Sequence, residues 1–309
     1  MTFTHPGRLA MVALFATIAL GACSGGAAST APSAATSAAP SAAGSVPAGS
    51  GAAVACAAGS ITAAGSTALQ PLIDAAAKKY QAACVGSTVQ VQGGGSGTGL
   101  TQVLQGAVQI GNSDVTADSK LKPEEAAQLV DHVVARQGWV MVVSKDVTGI
   151  TNLTSAQATD IWTGKIKNWK EVGGPDVAIV LILRPASSGT RSVFKKVVLN
   201  GATEAAGQAL TEDSNGAVTA AVKTTPGSTS VIGFAFYQAN KADLTALQLD
   251  GIDASVDNML NDTYKLQAFG HSYTKGEASG LAASFIAYVL SPDIQQNLLK
   301  TLFYAPASK

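Results

Sequence analysis

The chain has 309 residues, of which 47% are hydrophobic and 13% are charged, so it is long enough to form one large globular unit or two medium-sized lobes. Its 20 basic and 20 acidic residues give a formal net charge of zero. A nucleic-acid-binding surface is not predicted, because it would need clustered Lys and Arg.

The N-terminus has the pattern of a lipoprotein signal peptide. Arg8 precedes an apolar run over residues 9–20, which is short for a membrane span and typical of a signal-peptide core. Leu-Gly-Ala-Cys at 20–23 resembles the lipobox of bacterial lipoproteins, in which the cysteine is diacylated. We therefore predict a signal peptide over 1–22 and lipidation of Cys23. The alternative is an ordinary signal peptide that is cut nearby, with Cys23 incidental.

The segment after Cys23 is predicted to be a disordered tether over residues 23–56. Residues 24–55 contain only Gly, Ala, Ser, Thr, Pro and Val, which cannot bury enough apolar surface to fold. A flexible coil of this length spans roughly 30 Å. Such a tether would hold a globular domain off a membrane, with lipid chains as the anchor and no need for a transmembrane helix.

Cys56 and Cys84 are the two cysteines that remain after Cys23. An even pair in an exported domain favours a disulfide, which would join the start of the domain to the segment after its first helix. Zinc binding is not favoured, since there is no second cysteine pair and the chain has only three His.

Short apolar runs alternate with helical patterns from residue 57 onward. Strands are predicted over 60–65, 88–92, 108–114 and 133–144, and helices over 68–83, 99–106 and 122–130. A second set of strand and helix patterns covers 155–164, 177–184, 190–199 and 215–236. Residues 280–303 are predicted to form two helices interrupted at Ser291-Pro292. This alternation predicts an α/β fold with largely parallel sheets.

Four polar loops follow predicted strands, and three of them open a helix. They are 65–68 (GSTA), 95–99 (GSGTG), 111–114 (GNSD) and 187–190 (SSGT). Ligands bind at the carboxyl ends of strands in open α/β sheets, and helix N-termini offer unpaired N–H groups to anions. We expect the loops to surround a small oxyanion. Arg184, at the end of an apolar strand, would add charge and a planar fork suited to phosphate oxygens.

Asp114 indicates which anion the loops would select. A carboxylate can accept a hydrogen bond from a protonated phosphate, whereas it repels fully ionised sulfate, which has no proton to give. An unmatched buried acceptor costs about 1–3 kcal/mol, and more when it is charged. The residue therefore predicts a preference for phosphate over sulfate.

Five motifs resemble those of the phosphate-binding proteins of ABC phosphate importers, in the same order and spacing. They are GSTAL, GGGSGTG, IGNSD, IWTGKIKNWKEVGG and RPASSGTRSVF, and the similarity extends from about residue 59 to 304. The resemblance implies a two-lobed type II periplasmic-binding-protein fold, with a hinge of strands that cross between the lobes. It implies one lobe formed by 57–137 and 235–309, and a second lobe formed by 138–234.

The resemblance also implies the phosphate-binding residues. The set that matches the family motifs is Thr67, Ala68, Ser96, Asp114, Arg184, Ser188, Gly189 and Thr190. We call the motif Arg-x-x-x-Ser-Gly-Thr at 184–190 the clamp. The chain departs from the pattern at Ser187, where Gly or an acidic residue is common, and Arg191 places a second cation after the clamp. Arg191 is not assigned as a ligand.

The function implied is that of a monomeric receptor, lipid-anchored at the outer face of the cell membrane, that delivers inorganic phosphate to a permease and its ATPase. Lobe closure around the anion would be the mechanism, without a cofactor or covalent chemistry. Enzyme motifs fail, because a nucleophile elbow around Ser96 and a dinucleotide-binding fingerprint both require Gly where Thr98 stands. A receptor for another oxyanion and a non-transport surface or sensing protein remain alternatives.

Overall fold

The computed structural model of the protein describes residues 55–205 and 210–308. The predicted signal peptide, the lipidation site at Cys23 and nearly all of the tether lie outside these residues. Within the described part of the chain, no helix combines the length and the apolar character that a membrane span requires.

Ten strands and ten α-helices alternate along the described residues. The strands are β1 (Gly59–Gly65), β2 (Ser87–Gly94), β3 (Ile110–Ser113), β4 (Leu129–Val143), β5 (Asn152–Leu153), β6 (Val180–Leu183), β7 (Leu210–Thr211), β8 (Ser228–Gly233), β9 (Thr245–Leu249) and β10 (Gln267–Lys275). The helices are α1 (Gln70–Ala83), α2 (Ser96–Leu104), α3 (Pro123–Ala126), α4 (Ser155–Trp162), α5 (Gly189–Val197), α6 (Asn215–Thr224), α7 (Phe234–Asn240), α8 (Val256–Leu260), α9 (Gly280–Val289) and α10 (Leu299–Thr301). Short 3₁₀ turns form at Ala117–Ser119 and Trp169–Val172, and a π-helical turn at Ile294–Leu298 precedes α10.

The strands form a mixed sheet in the order β2-β1-β3-β10-β4-β8-β6-β7, with β9 also paired to β4 and to β5. β1 is parallel to β2 and β3, and β6 is parallel to β7 and β8, whereas the central pairs that involve β4 and β10 are antiparallel. The α/β fold class predicted from the sequence is confirmed. The sheet is less uniformly parallel than the alternation indicated, because the long strands β4 and β10 run against their neighbours.

Strand β4 connects the two halves of the sheet. Its residues up to Gly138 pair with β10, and those from Trp139 onward pair with β8. The predicted lobe limit at 137/138 falls within this strand, where its main partner changes. The lobe boundaries themselves stay a prediction.

The hydrophobic core is divided into clusters that follow the same division of the sheet. One cluster surrounds α1 and α9 and contains Leu72, Tyr80 and Phe285. Another surrounds α4 and α5 and contains Trp162 and Phe194, whose ring centroids are 4.8 Å apart. Most buried side chains of each half therefore pack in their own cluster, and Ala68 of the loop after β1 joins the cluster around α4 and α5.

The structure confirms the disulfide between Cys56 and Cys84, whose Cα atoms are 5.3 Å apart. The helix predicted over 122–130 is shorter than expected. It ends at Ala126, since the following residues join β4 and pair with β10 from Leu129 onward.

Candidate functional site

Asp114 lies at the centre of the loops that the sequence singled out, and only 2% of its surface is exposed. Ser66 Oγ and Gln137 Nε2 both donate to its Oδ1 atom, the latter at 2.9 Å. Thr190 Oγ1 is 3.4 Å from Oδ2, in donating geometry. The carboxylate is thus held by donors from the end of β1, from β4 and from α5.

The charge of Asp114 is costly where it lies. Burial raises the pKa of this carboxyl above its ordinary value, and hydrogen bonds from Ser66 and Gln137 together with the charge of Arg184 partly oppose the rise. A buried ionisable group with a shifted pKa among donor loops is a candidate for contact with a ligand. An acidic hydrogen of a bound oxyanion would be a partner for this carboxylate.

Arg184 lies at the end of β6 and is buried, with 5% of its surface exposed. Nε donates to Glu212 O at 3.0 Å, Nη2 to Asp213 O at 3.0 Å, and Nη1 to Asn215 Oδ1 at 3.3 Å. These bonds use three of the five N–H donors of a guanidinium and leave one on each terminal nitrogen. Burial lowers the pKa of Arg184 to about 10, so the side chain stays positively charged at neutral pH.

The N-terminus of α5 approaches the carboxylate closely. Ser188 caps this helix by accepting a hydrogen bond from Arg191 N at 3.2 Å. A Cβ atom added to Gly189 would overlap Ser96 Oγ and lie 2.7 Å from Asp114 Cβ, so only glycine fits there. The start of α5 therefore lies against Asp114 and Ser96, and the first turn of a helix has N–H groups without intrahelical partners.

The loop after β1 contributes Thr67 and Ala68 to the site. Thr67 Oγ1 accepts a hydrogen bond from Asn215 N at 3.2 Å, which leaves the hydroxyl hydrogen of Thr67 available as a donor. Ala68 N is 3.1 Å from Ser66 Oγ and donates to it. The structure thus places Ala68 in the site with its N–H directed at Ser66.

Ser96 begins α2 and is fully buried. Its Oγ atom accepts a hydrogen bond from Asp114 N at 2.9 Å, so its own hydrogen is free to point elsewhere. Gly95, with φ of 87°, turns the chain into this helix. The helix begins three residues earlier than the sequence pattern indicated, which brings Ser96 into the first helical turn.

The loops fall into two groups that face each other. We call the loops after β1, β2 and β3 the first loop group, and residues 184–190 with 212–215 the second loop group. The two groups are in direct contact, since Gly97 N donates to Ser187 O at 2.8 Å and Asn215 N donates to Thr67 Oγ1 at 3.2 Å. The eight residues that the resemblance implied are thereby brought together.

The sequence did not single out Gln137 and Asn215 as site residues. Asn215 is fully buried at the start of α6, and its Oδ1 faces two donors, Arg184 Nη1 and Gly233 N. The Nδ2 atom must then point away from these groups, and it has no hydrogen-bond partner. Its position after the Ser214 cap of α6 was the available signal, because that cap resembles the one that precedes α5.

The side chain of Arg191 is engaged in an ion pair. Its Nε and Nη2 atoms bind Glu204 Oε2 at 2.7 and 2.5 Å, and Glu204 is buried. This ion pair accounts for the second cation that the sequence placed next to the clamp. Among the residues that the structure describes, no group of three His, Cys, Asp or Glu could hold a metal ion.

Known proteins that are similar to this chain define its class. The model of the PBP superfamily domain matches residues 50–293, which is most of the chain. A crystallised Clostridium perfringens protein, assigned as a phosphate ABC transporter substrate-binding protein and holding phosphate, is similar with a TM-score of 0.72 and 28% identity over 80% of this chain and 99% of that one. The chain therefore has the fold of the PBP superfamily.

Relatives within the superfamily show to which group of binding proteins the chain belongs. The phosphate-binding protein PstS of Bacillus subtilis is 45% identical over 248 residues, which cover 80% of this chain and 81% of the relative. An ABC-type phosphate transport receptor from Vibrio cholerae has a TM-score of 0.62 and 29% identity over 80% of this chain and all of that one. The chain belongs to the phosphate-binding proteins of this superfamily, which confirms the resemblance read from its motifs.

Proposed function

We propose that the protein is an extracytoplasmic receptor that binds inorganic phosphate between the two loop groups and delivers it to an ABC-type importer. The observation that carries this proposal is a fully buried carboxylate, Asp114, enclosed by hydroxyl and N–H donors. The relatives are binding proteins that are named for phosphate. The proposed role is to bind phosphate without transforming it.

The site residues divide the phosphate oxygens between the two loop groups. Thr67 and Ser96 retain free hydroxyl hydrogens on the first side, and Arg184 retains two N–H groups on the second. The first-turn N–H groups at Gly189 and Thr190 add donors and the positive end of a helix dipole. Ala68 and Ser188 complete the predicted set. Ala68 lies just before the start of α1, and Ser188 caps α5.

Asp114 is the acceptor for the acidic hydrogen of phosphate in this proposal. Both phosphate forms present at neutral pH carry at least one such hydrogen, and sulfate carries none. Asn215 Nδ2 is buried without a partner, on a residue whose Oδ1 atom binds Arg184, and is a further donor to the anion in this proposal. An unsatisfied buried donor costs about 1–3 kcal/mol, and an anion oxygen would recover this cost.

Calorimetric titration of the purified protein with phosphate and with sulfate tests the function. We expect saturable phosphate binding and sulfate binding that is weaker by about a hundredfold or more, since sulfate meets a desolvated carboxylate without a hydrogen to offer. Equal affinity for the two anions, or no binding of either, would contradict the proposal.

The proposed position in the cell rests on the N-terminal sequence. Lipidation of Cys23 and the uncharged segment after it would tether the receptor to the outer face of the membrane, next to a permease and its ATPase. Labelling of cells with a radioactive fatty acid tests the anchor, and Cys23→Ala should abolish incorporation. Labelling that persists in this variant would show that the cysteine is incidental.

A further inference from the structure

Lys120 connects parts of the molecule that belong to different core clusters. It follows the 3₁₀ turn Ala117–Ser119, and Ala117 packs with Leu100 and Tyr273 on the side of the first loop group. The Ala117 backbone also donates to Tyr273 Oη at 3.1 Å. The backbone that carries Lys120 is therefore fixed to the β1–β3 half of the sheet.

The ammonium group of Lys120 makes its hydrogen bonds on the opposite side. Nζ donates to Ala186 O at 2.6 Å, to Ser188 O at 3.2 Å and to Ser192 Oγ at 2.6 Å. Three acceptors match the three donors of an ammonium group. All three belong to the second loop group or to α5. Through Phe194, α5 packs in the core cluster around α4 and α5, which is separate from the cluster that contains Ala117.

Burial of this cation is unfavourable without those contacts. Burial and the charge of Arg191 lower the pKa of Lys120, whereas the charge of Asp114 acts in the opposite direction. The bonds to Ala186 and Ser188 hold the backbone just before the helix start that faces the anion. Charge-assisted bonds of this length are about twice as strong as neutral ones.

We infer that Lys120 is a latch between the two loop groups, a positioning residue that holds the α5 N-terminus against the first loop group and slows phosphate release. This inference rests on the proposed function. In the opening motion that the family resemblance implies, the two loop groups separate, so contacts between them would stabilise the closed arrangement alone. Their loss should accelerate dissociation and leave the encounter with phosphate nearly unchanged.

The test compares Lys120→Met with Lys122→Met in the full folded protein. Lys122 is an exposed lysine two positions away whose backbone N–H, rather than its side chain, bonds Glu125 at 3.0 Å. Loading with radiolabelled phosphate, followed by a chase with unlabelled phosphate, gives the dissociation rate. We expect Lys120→Met to release phosphate about tenfold faster or more, and Lys122→Met to release it at the wild-type rate.

Association rates at several salt concentrations distinguish a latch from simple charge attraction. A latch predicts association within about threefold of wild type and an unchanged preference for phosphate over sulfate. Slower association with unchanged release would instead assign Lys120 to electrostatic steering and overturn the inference. Absence of phosphate binding by the wild-type protein would overturn the proposed function as well.

Ser192→Ala provides a second variant that removes one latch acceptor and keeps the lysine. We expect a smaller acceleration of release, of about threefold, and little further effect when Ser192→Ala is combined with Lys120→Met. Thermal unfolding without phosphate checks that each variant is folded. Independent, additive effects of the two substitutions would show that the residues do not act through one contact.

Discussion

Replacement of Asp114 by Asn changes one atom of the site and reverses its hydrogen-bonding character. Ser66 and Gln137 both donate to Oδ1, so the amide oxygen of the variant must take this position. The amide NH₂ then replaces Oδ2, beside Thr190 and Gly189. A bound anion would meet a donor where the wild-type protein offers an acceptor.

The magnitude follows from the bond that is lost. A hydrogen bond to a charged group contributes about 1.5–3 kcal/mol, which corresponds to a loss of phosphate affinity of roughly tenfold to a hundredfold in Asp114→Asn. Sulfate affinity should rise, because the repulsion is removed and a donor is added. Calorimetry with both anions measures the two changes. A variant that keeps the wild-type ratio of phosphate to sulfate affinity would refute the assignment of Asp114 as the proton acceptor.

The same substitution should stabilise the phosphate-free protein. The folded-state pKa of Asp114 is raised, so its contribution to stability is present below the unfolded pKa and is lost as pH rises through the raised value. At neutral pH the Asn variant should therefore unfold at a higher temperature than wild type, and the difference should vanish in acid. Wild-type sulfate binding should strengthen on acidification, as the carboxyl gains a hydrogen, and Asp114→Asn should lack this pH dependence.

Three further substitutions test separate parts of the structure. Gly189→Ala should reduce phosphate affinity by about a hundredfold or more in calorimetry, since its Cβ would overlap Ser96 Oγ; near-normal binding would show that the helix start can move away. Asn215→Ala should weaken phosphate binding by about tenfold through loss of the unpartnered Nδ2 donor, and an unchanged affinity would remove this residue from the site. Cys56→Ser should lower the free energy of unfolding by about 2–4 kcal/mol in denaturant titrations while phosphate affinity is retained, because the disulfide lies outside the loops.

Much of the fold and of the candidate site could be predicted from the sequence because its local patterns are strong. Glycine and hydroxyl residues after strand patterns predicted the three helix starts that surround Asp114. The predicted extent of α3 was wrong, since pairing of Leu129 with β10 overrides the local helical pattern. Such long-range pairing has no local signature.

The residues that the sequence did not reveal act through contacts between distant segments. Asn215 meets Thr67 across 148 positions, and Lys120 meets Ser192 across 72. In the sequence, a lysine after a polar turn cannot be distinguished from any solvent-exposed lysine. The proposed role of Lys120 depends on its bonds to the carbonyl groups of Ala186 and Ser188, and no sequence motif predicts these bonds. Glycine motifs therefore predict the loops that we propose to bind the anion, whereas the contacts that hold these loops together are visible only once the two halves of the sheet are placed side by side.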